Sequence, residues 1–473
     1  MLHSMRRAAG ARDLSIRTLS LLVLLCGALA PRAAAQTVDE LKAQLEAERA
    51  ARLALEKRLA ELEAWRAGQE TSDTEAELRK LVAPEDLQRA PKTTIFPGAA
   101  NPAIGVFADA VLEGGNFDSK FGEDSDRFSM RETELDFRLP ISPFAEGVAI
   151  VPIEDEGNGD FNTTLEEGYA NIGLGKLLDQ PAWVTTVKVG RSRPIFGRNN
   201  QLHTHDWLQV NQPLPVQNLL GEEGLIGDGF NFHTPLGHYG GEGELGGATT
   251  LDFALVNGEM VIGDESPLSG LADDAGLSTA SDDAMLTARV SQFMETGRLS
   301  DLEVGVSTIQ RLGANAVTVG AGTGTETRIY PAWYDADVTF RTRDDETGIG
   351  SWLLQAETIL TDIDYDNSGA ADFPSGTQNR NGWWLTTQRQ MSPTVYAGLL
   401  YARSDELGTP DKDESLSPYL SWYADEFFRI RWQLDFQNRE VANGPDINGA
   451  YRALMQFTWN FGVHQPHPYW VNK

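Results

Sequence analysis

The sequence predicts an all-β fold: a transmembrane antiparallel β-barrel of about 16 strands, preceded by an N-terminal periplasmic α-helical coiled coil. Three observations point there. Beyond Pro97, apolar and polar residues alternate with period two in run after run. The connections between these runs alternate in length, mostly long and polar after odd-numbered runs and mostly short after even-numbered ones. A leader of secretory type opens the chain, and its Cys26 is the sole cysteine.

Taken in order, residues 1–35 read as a signal peptide. Arg6, Arg7, Arg12 and Arg17 precede an apolar core from Leu19 to Ala30, followed by the small residues Ala33, Ala34 and Ala35. The core is too short for a permanent membrane helix, and Leu25 before Cys26 is bulky where lipidation needs a small residue. Residues 36–70 form a coiled-coil helix: Val38, Leu41, Leu45, Leu55, Leu59 and Leu62 share the a and d positions of one heptad frame. Glu48 and Arg52 interrupt that seam. Residues 71–100 give a short helix and a linker broken by Pro84, Pro91 and Pro97.

Residues 101–473 are the predicted barrel. Leu135, Phe137 and Leu139 alternate with Asp136 and Arg138, and Phe428, Ile430, Trp432, Leu434 and Phe436 alternate with Arg429, Arg431, Gln433 and Asp435. The last run is Ala453, Met455, Phe457, Trp459 and Phe461. A soluble sandwich would bury the apolar face and has no reason to sort its loop lengths by parity. A membrane barrel turns that face to lipid, lines water with the other, and keeps its tight turns on the periplasmic side. Tryptophans and tyrosines such as Trp333, Trp352, Trp383, Trp384, Tyr396, Tyr419 and Trp422 are expected in girdles at the two interfaces.

The 69 acidic against 39 basic residues, a net charge of −30, exclude nucleic acid as a partner. With no Gly-x-Ser-x-Gly, no His-Glu-x-x-His and no cysteine after the leader, the chain is expected not to be an enzyme. Between the leader and the first run lie too few residues for a plug domain of the kind that fills the largest barrels.

The longest Pro-rich connection, about residues 190–227, holds Gly190-Arg191-Ser192-Arg193-Pro194-Ile195-Phe196-Gly197-Arg198, then His203-Thr204-His205-Asp206, then Leu219-Leu220-Gly221-Glu222-Glu223-Gly224. With the C-terminal Gly462-Val463-His464-Gln465-Pro466-His467-Pro468-Tyr469, this resembles the phosphate-selective porin O/P group of outer-membrane proteins. The resemblance covers roughly residues 100–473 and is to the broad family. A phosphate-specific member would show an arginine ladder and a lysine cluster, whereas lysines here are few and the long loops acidic. It implies a sixteen-stranded barrel, commonly trimeric, in the outer membrane of a Gram-negative-type bacterium, with a third long loop folded into the lumen. The function implied is passive diffusion of small hydrophilic solutes or ions. The expected surroundings are outer-membrane lipid, lipopolysaccharide and a homotrimer. The alternatives are a structural anchor tethered through the coiled coil, and a zinc-type metal-ion uptake channel.

If the 190–227 segment constricts a pore, Arg191, Arg193 and Arg198 facing Asp206, Glu222 and Glu223 set a transverse field there. The same residues can equally pair off and brace the loop. No cofactor is expected, with one exception. His203, His205 and Asp206, or the pair His464 and His467, have the residue types for a divalent cation. The acidic loops 257–283 and 404–414 suit solvation or calcium between lipopolysaccharide phosphates.

Overall fold

A computed structural model describes residues 103–122, 126–155, 160–180, 184–221, 224–240, 245–262, 268, 284–312, 317–319, 327–344, 350–367, 376–407 and 409–462. The leader 1–35, the coiled coil 36–70 and the linker 71–100 lie outside them.

In chain order the strands are β1 (Ala103–Gly115), β2 (Phe128–Ser142), β3 (Ala145–Asp155), β4 (Phe161–Thr163), β5 (Glu167–Gly173), β6 (Thr186–Ser192), β7 (Gly227–Tyr239), β8 (Gly247–Asn257) and β9 (Ala284–Gly297). They continue with β10 (Ser300–Arg311), β11 (Val317–Val319), β12 (Thr327–Thr342), β13 (Trp352–Asn367), β14 (Gly376–Ser392), β15 (Val395–Asp405), β16 (Lys412–Tyr423), β17 (Phe428–Glu440) and β18 (Ile447–Gly462). Each wall strand pairs antiparallel with its sequence neighbour, and β1 pairs with β18 from Gly105–Gly462 to Gly115–Arg452. The sheet therefore closes on itself and leaves no edge. The three-residue β4 and β11 only pair with the ends of β3 and β12. Without them the wall has sixteen strands.

Connection lengths follow the parity read from the sequence. Hairpin turns as short as Pro143–Phe144, Arg298–Leu299 and Pro393–Thr394 lie at one end, and the long segments, including 193–226, lie at the other. At two of these turns, ladder pairing runs through Pro140 and Gln390 almost to the turn residues.

The two faces of the wall have the inverse of a soluble core. Leu354, Leu360, Trp383, Leu385, Trp432, Leu434 and Phe436 point outward and are exposed, while Gln355, Glu357, Thr386, Gln388, Arg431, Gln433 and Asp435 point inward and are buried. On β17 the alternation is strict: Trp432 is 37 % exposed and its neighbour Arg431 is 1 % exposed. An apolar belt of this extent is unfavourable in water and favourable in hydrocarbon, where every backbone group must already be paired, as a closed barrel ensures. Pro418 marks one local lapse. It has no N–H to give, and the β16–β17 ladder is interrupted between Leu416 and Tyr419.

The aromatic expectation needs one correction. Trp352, Trp383 and Trp422 face outward, but Trp333, Trp384, Tyr396 and Tyr419 are buried on the inner face. Trp333 and Trp384 face inward because the lumen at the long-loop end is filled by protein, which gives large apolar side chains something to cover.

Candidate functional site

The segment between β6 and β7 does not leave the barrel. Its residues fold over the lumen and make hydrogen bonds with strands all round the wall. A glycine allows the first crossing. Gly197 takes φ +59°, the left-handed region, and a Cβ there would lie 2.0 Å from Glu357 Oε1. Its N–H donates to Ser307 Oγ at 3.0 Å, and the N–H of Asn199 donates to Glu357 Oε2 at 3.2 Å. Arg198, 2 % exposed, pairs with Glu303 at 2.8 Å and Asp337 at 3.3 Å.

The segment then returns to the β1–β2 side. The His205 ring stacks on Phe107, with centroids 4.0 Å apart and planes 12° apart. Next comes a polar clamp. Arg431 donates to the carbonyls of Trp207 (2.8 Å) and Gln209 (2.5 Å), and also to Ser421 and Gln456. Arg131 donates to Val210 O at 2.9 Å while paired with Asp109. The N–H of Val210 donates to Gln433 Oε1 at 2.7 Å. These contacts give the irregular backbone partners that water would otherwise supply.

Last comes a helix, Leu214–Leu220, with Pro215 in its first turn, where a missing N–H costs nothing. Val216, Leu219 and Leu220 are fully buried against Ile309, Trp333, Ile359, Ile363, Trp384 and Leu400 of the inner wall. The indole of Trp333 donates to Leu219 O at 3.0 Å.

What the segment leaves open is a polar chamber of about 560 Å³. Glu132, Glu154, Glu406 and Asp413 line it together with Arg131, Arg439, Arg452, Thr204, Trp207 and Asn211. The guanidinium groups are engaged: Arg439 with Asp413 at 2.8 Å, Arg452 with Asp435 at 2.9 Å, and Arg131 with Asp109. Glu132 and Glu154 occupy directly opposed register positions on β2 and β3. Like charges at opposed positions weaken a strand pair.

A second cluster lies at His203. Its Nδ1 is 3.3 Å from Glu134 Oε2 and 3.5 Å from Glu166 Oε2, and its Nε2 is 3.4 Å from Glu167 Oε1. His205 Nδ1 is 3.6 Å from the same Glu134 oxygen. Burial opposes the charge on His203, but the Glu166 and Glu134 carboxylates outweigh it and hold its pKa well above the usual histidine value. Burial likewise opposes ionisation of Glu166, and the neighbouring Arg193 and His203 reverse that and lower its pKa.

The residues singled out from the sequence are thus dispersed. Arg191 lies beside Asp228 at 3.5 Å, Arg193 pairs with Glu166, and Arg198 is on the far wall with Glu303 and Asp337. Asp206 is 3.8 Å from His205. None of the three arginines lines the chamber. Glu222, Glu223, His464 and His467 lie outside the described residues. Glu132, Glu134, Glu154, Glu166 and Arg431 were not singled out. For Glu132, Glu134 and Arg431 the signal was the charged phase of β2 and β17, visible as alternation but silent about which members meet the inserted segment. Glu154 lies at the end of β3 and Glu166 precedes β5, where no alternation marks them.

No family model matches the chain. One relative, a protein of Aquifex aeolicus (strain VF5) described as uncharacterized, is 35 % identical over 115 residues, which is 24 % of this chain and 22 % of that protein. Among solved structures, the anion-selective porin from Comamonas acidovorans is similar at 11 % identity and TM-score 0.46, over 77 % of this chain and 99 % of that one. The outer membrane channel DcaP of Acinetobacter baumannii is similar at 12 % identity and TM-score 0.44, over 76 % and 96 %. OmpF of Salmonella typhi, in complex with daunomycin, stands at 9 % identity and TM-score 0.43, over 76 % and 97 %. The barrel described above rests on its own strand pairing.

Proposed function

We propose that the protein is an outer-membrane porin that lets small hydrophilic solutes or ions diffuse through a barrel narrowed by the 190–227 segment. The observation that carries this is the inversion of the wall, an exposed apolar outer belt around a charged and polar interior that still encloses an aqueous chamber. Membrane barrels with a water-filled lumen need this combination. In this reading the outer face meets membrane lipid, the long-loop end meets lipopolysaccharide, and three copies associate side by side. The signal peptide and the periplasmic coil belong to the same reading.

The chamber gives the pore a weak preference for cations. Its four carboxylates outnumber its three guanidinium groups, and two of those three, Arg131 and Arg452, also pair with acids outside the lining, Asp109 and Asp435. The opposed Glu132 and Glu154 supply the local negative field. Of the sequence-derived set, Arg191, Arg193 and Arg198 add to this chiefly by fixing the segment that shapes the opening. Liposome swelling with sugars and amino acids of graded size tests the reading. Swelling with the smallest solutes and a sharp size cut-off is expected. No swelling with any solute would overturn it and favour the anchor.

A further inference from the structure

The geometry points to a transition-metal site built by Glu134, Glu166 and His203 where the inserted segment meets β2 and the start of β5. One donor atom from each of these residues lies within 4.8 Å of the others. The His203 Nδ1 distances to Glu134 Oε2 and Glu166 Oε2, 3.3 and 3.5 Å, are long for a charge-assisted hydrogen bond, which closes to about 2.7–2.9 Å. They match the edge of a tetrahedron around a cation bound at about 2.0–2.1 Å, which is roughly 3.3–3.4 Å.

A second observation concerns burial at the same point. Glu134 is 2 % exposed, and neither its Oε2 nor His203 Nδ1 completes a hydrogen bond. Two buried polar atoms aimed at a common point are costly unless something there satisfies both. The surroundings also orient the donors. Arg193 takes Glu166 Oε1, so that Oε2 is the oxygen turned toward His203. Glu167 Oε1 stands 3.4 Å from the other ring nitrogen of His203, the side from which a carboxylate orients a ligating imidazole once an ion displaces the Nδ1 proton.

One imidazole and two carboxylates select a borderline divalent ion such as zinc or cobalt over magnesium or calcium, which take six or more oxygens. Three protein ligands leave a coordination position for water. His205 Nδ1, 3.6 Å from Glu134 Oε2, lies within reach of the same cluster. The site is also placed for exchange. Thr204 lines the large chamber, and His205 lines a smaller opening among Tyr423, Asp425, Glu426 and Asn460 at the tight-turn end. The sequence had gathered His203, His205 and Asp206. The fold replaces Asp206 with Glu134 and Glu166, donors from the wall.

The test is equilibrium dialysis of untagged, chelator-treated full-length protein in detergent against zinc or cobalt(II), with the visible spectrum of cobalt as a geometric readout. One equivalent per chain with tetrahedral cobalt bands is expected. Glu134→Gln and His203→Gln should each abolish it, and Glu167→Gln should weaken it by roughly 10–100-fold. Heat-modifiable migration on gels confirms that each variant folds, and Glu166→Gln, which removes the third donor, should abolish binding too and decides the matter where another variant fails to fold. His464→Gln with His467→Gln should leave binding unchanged. Absence of stoichiometric binding would overturn the proposal, as would binding that survives both ligand variants or is lost with the C-terminal pair. The assay needs no conducting pore, so its failure and that of the porin reading are separable.

Discussion

Arg431→Met tests how the inserted segment is held. Arg431 is almost fully buried and directs two of its hydrogen bonds to the segment's carbonyls, at Trp207 and Gln209. Hydrogen bonds from a charged donor contribute about 1.5–3 kcal/mol each, so the two together are worth about 3–6 kcal/mol. Methionine fills the volume of the stem, and the freed carbonyls can turn to water in the adjoining chamber, which favours the lower figure. A loss of about 3 kcal/mol raises the population detached from the wall by roughly 100-fold. Detachment stays local, because Val216, Leu219 and Leu220 still anchor the helix further on. Hydrogen–deuterium exchange read by mass spectrometry on peptides spanning 203–220 is the assay. Amides from Trp207 to Asn211 should exchange about 100-fold faster, with helix Leu214–Leu220 and the wall strands unchanged. Unaltered exchange at Val210, or acceleration throughout the barrel, would refute the clamp.

Three further outcomes are expected. Gly197→Ala forces a side chain into the left-handed region, at about 1–2 kcal/mol, and drives its Cβ into Glu357, so amides 195–201 should lose protection in the same assay. Glu132→Gln combined with Glu154→Gln removes both opposed carboxylates of the chamber, and the reversal potential in a salt gradient should shift toward zero or anion preference; an unchanged potential would remove them from the selectivity account. Leu385→Arg places a charge on the outward face of β14 and should lower unfolding stability in lipid by about 2–4 kcal/mol, whereas a soluble barrel would tolerate it within about 0.5 kcal/mol.

The wall was legible because a barrel strand has two unlike faces. Phe428 to Phe436 and Ala453 to Phe461 showed their phase directly, and the parity of the connections ordered the strands. β4 and β11 were too short to produce a periodic signal. The packing of the inserted segment was also written in the sequence, as a breakdown of alternation. Leu353-Leu354, Ile359-Leu360, Trp383-Trp384-Leu385 and Leu399-Leu400 are apolar on both faces, which a strand shows when both faces are covered. The helix at Leu214–Leu220 covers Ile359, Trp384 and Leu400, and Leu202, Trp207 and Leu208 of the same segment cover Leu353. The His203 cluster was half legible. Two histidines two residues apart stood out, but Glu134 and Glu166 lie far off in sequence, and only strand register brings them to the ring.

The central claim is a water-filled path through the barrel, and single-channel recording of the purified full-length protein in planar bilayers tests it most directly. Discrete conductance steps that grow with salt concentration, and that become larger or noisier in Arg431→Met, are expected. A correctly folded, heat-modifiable protein that inserts and gives no conductance would contradict the account.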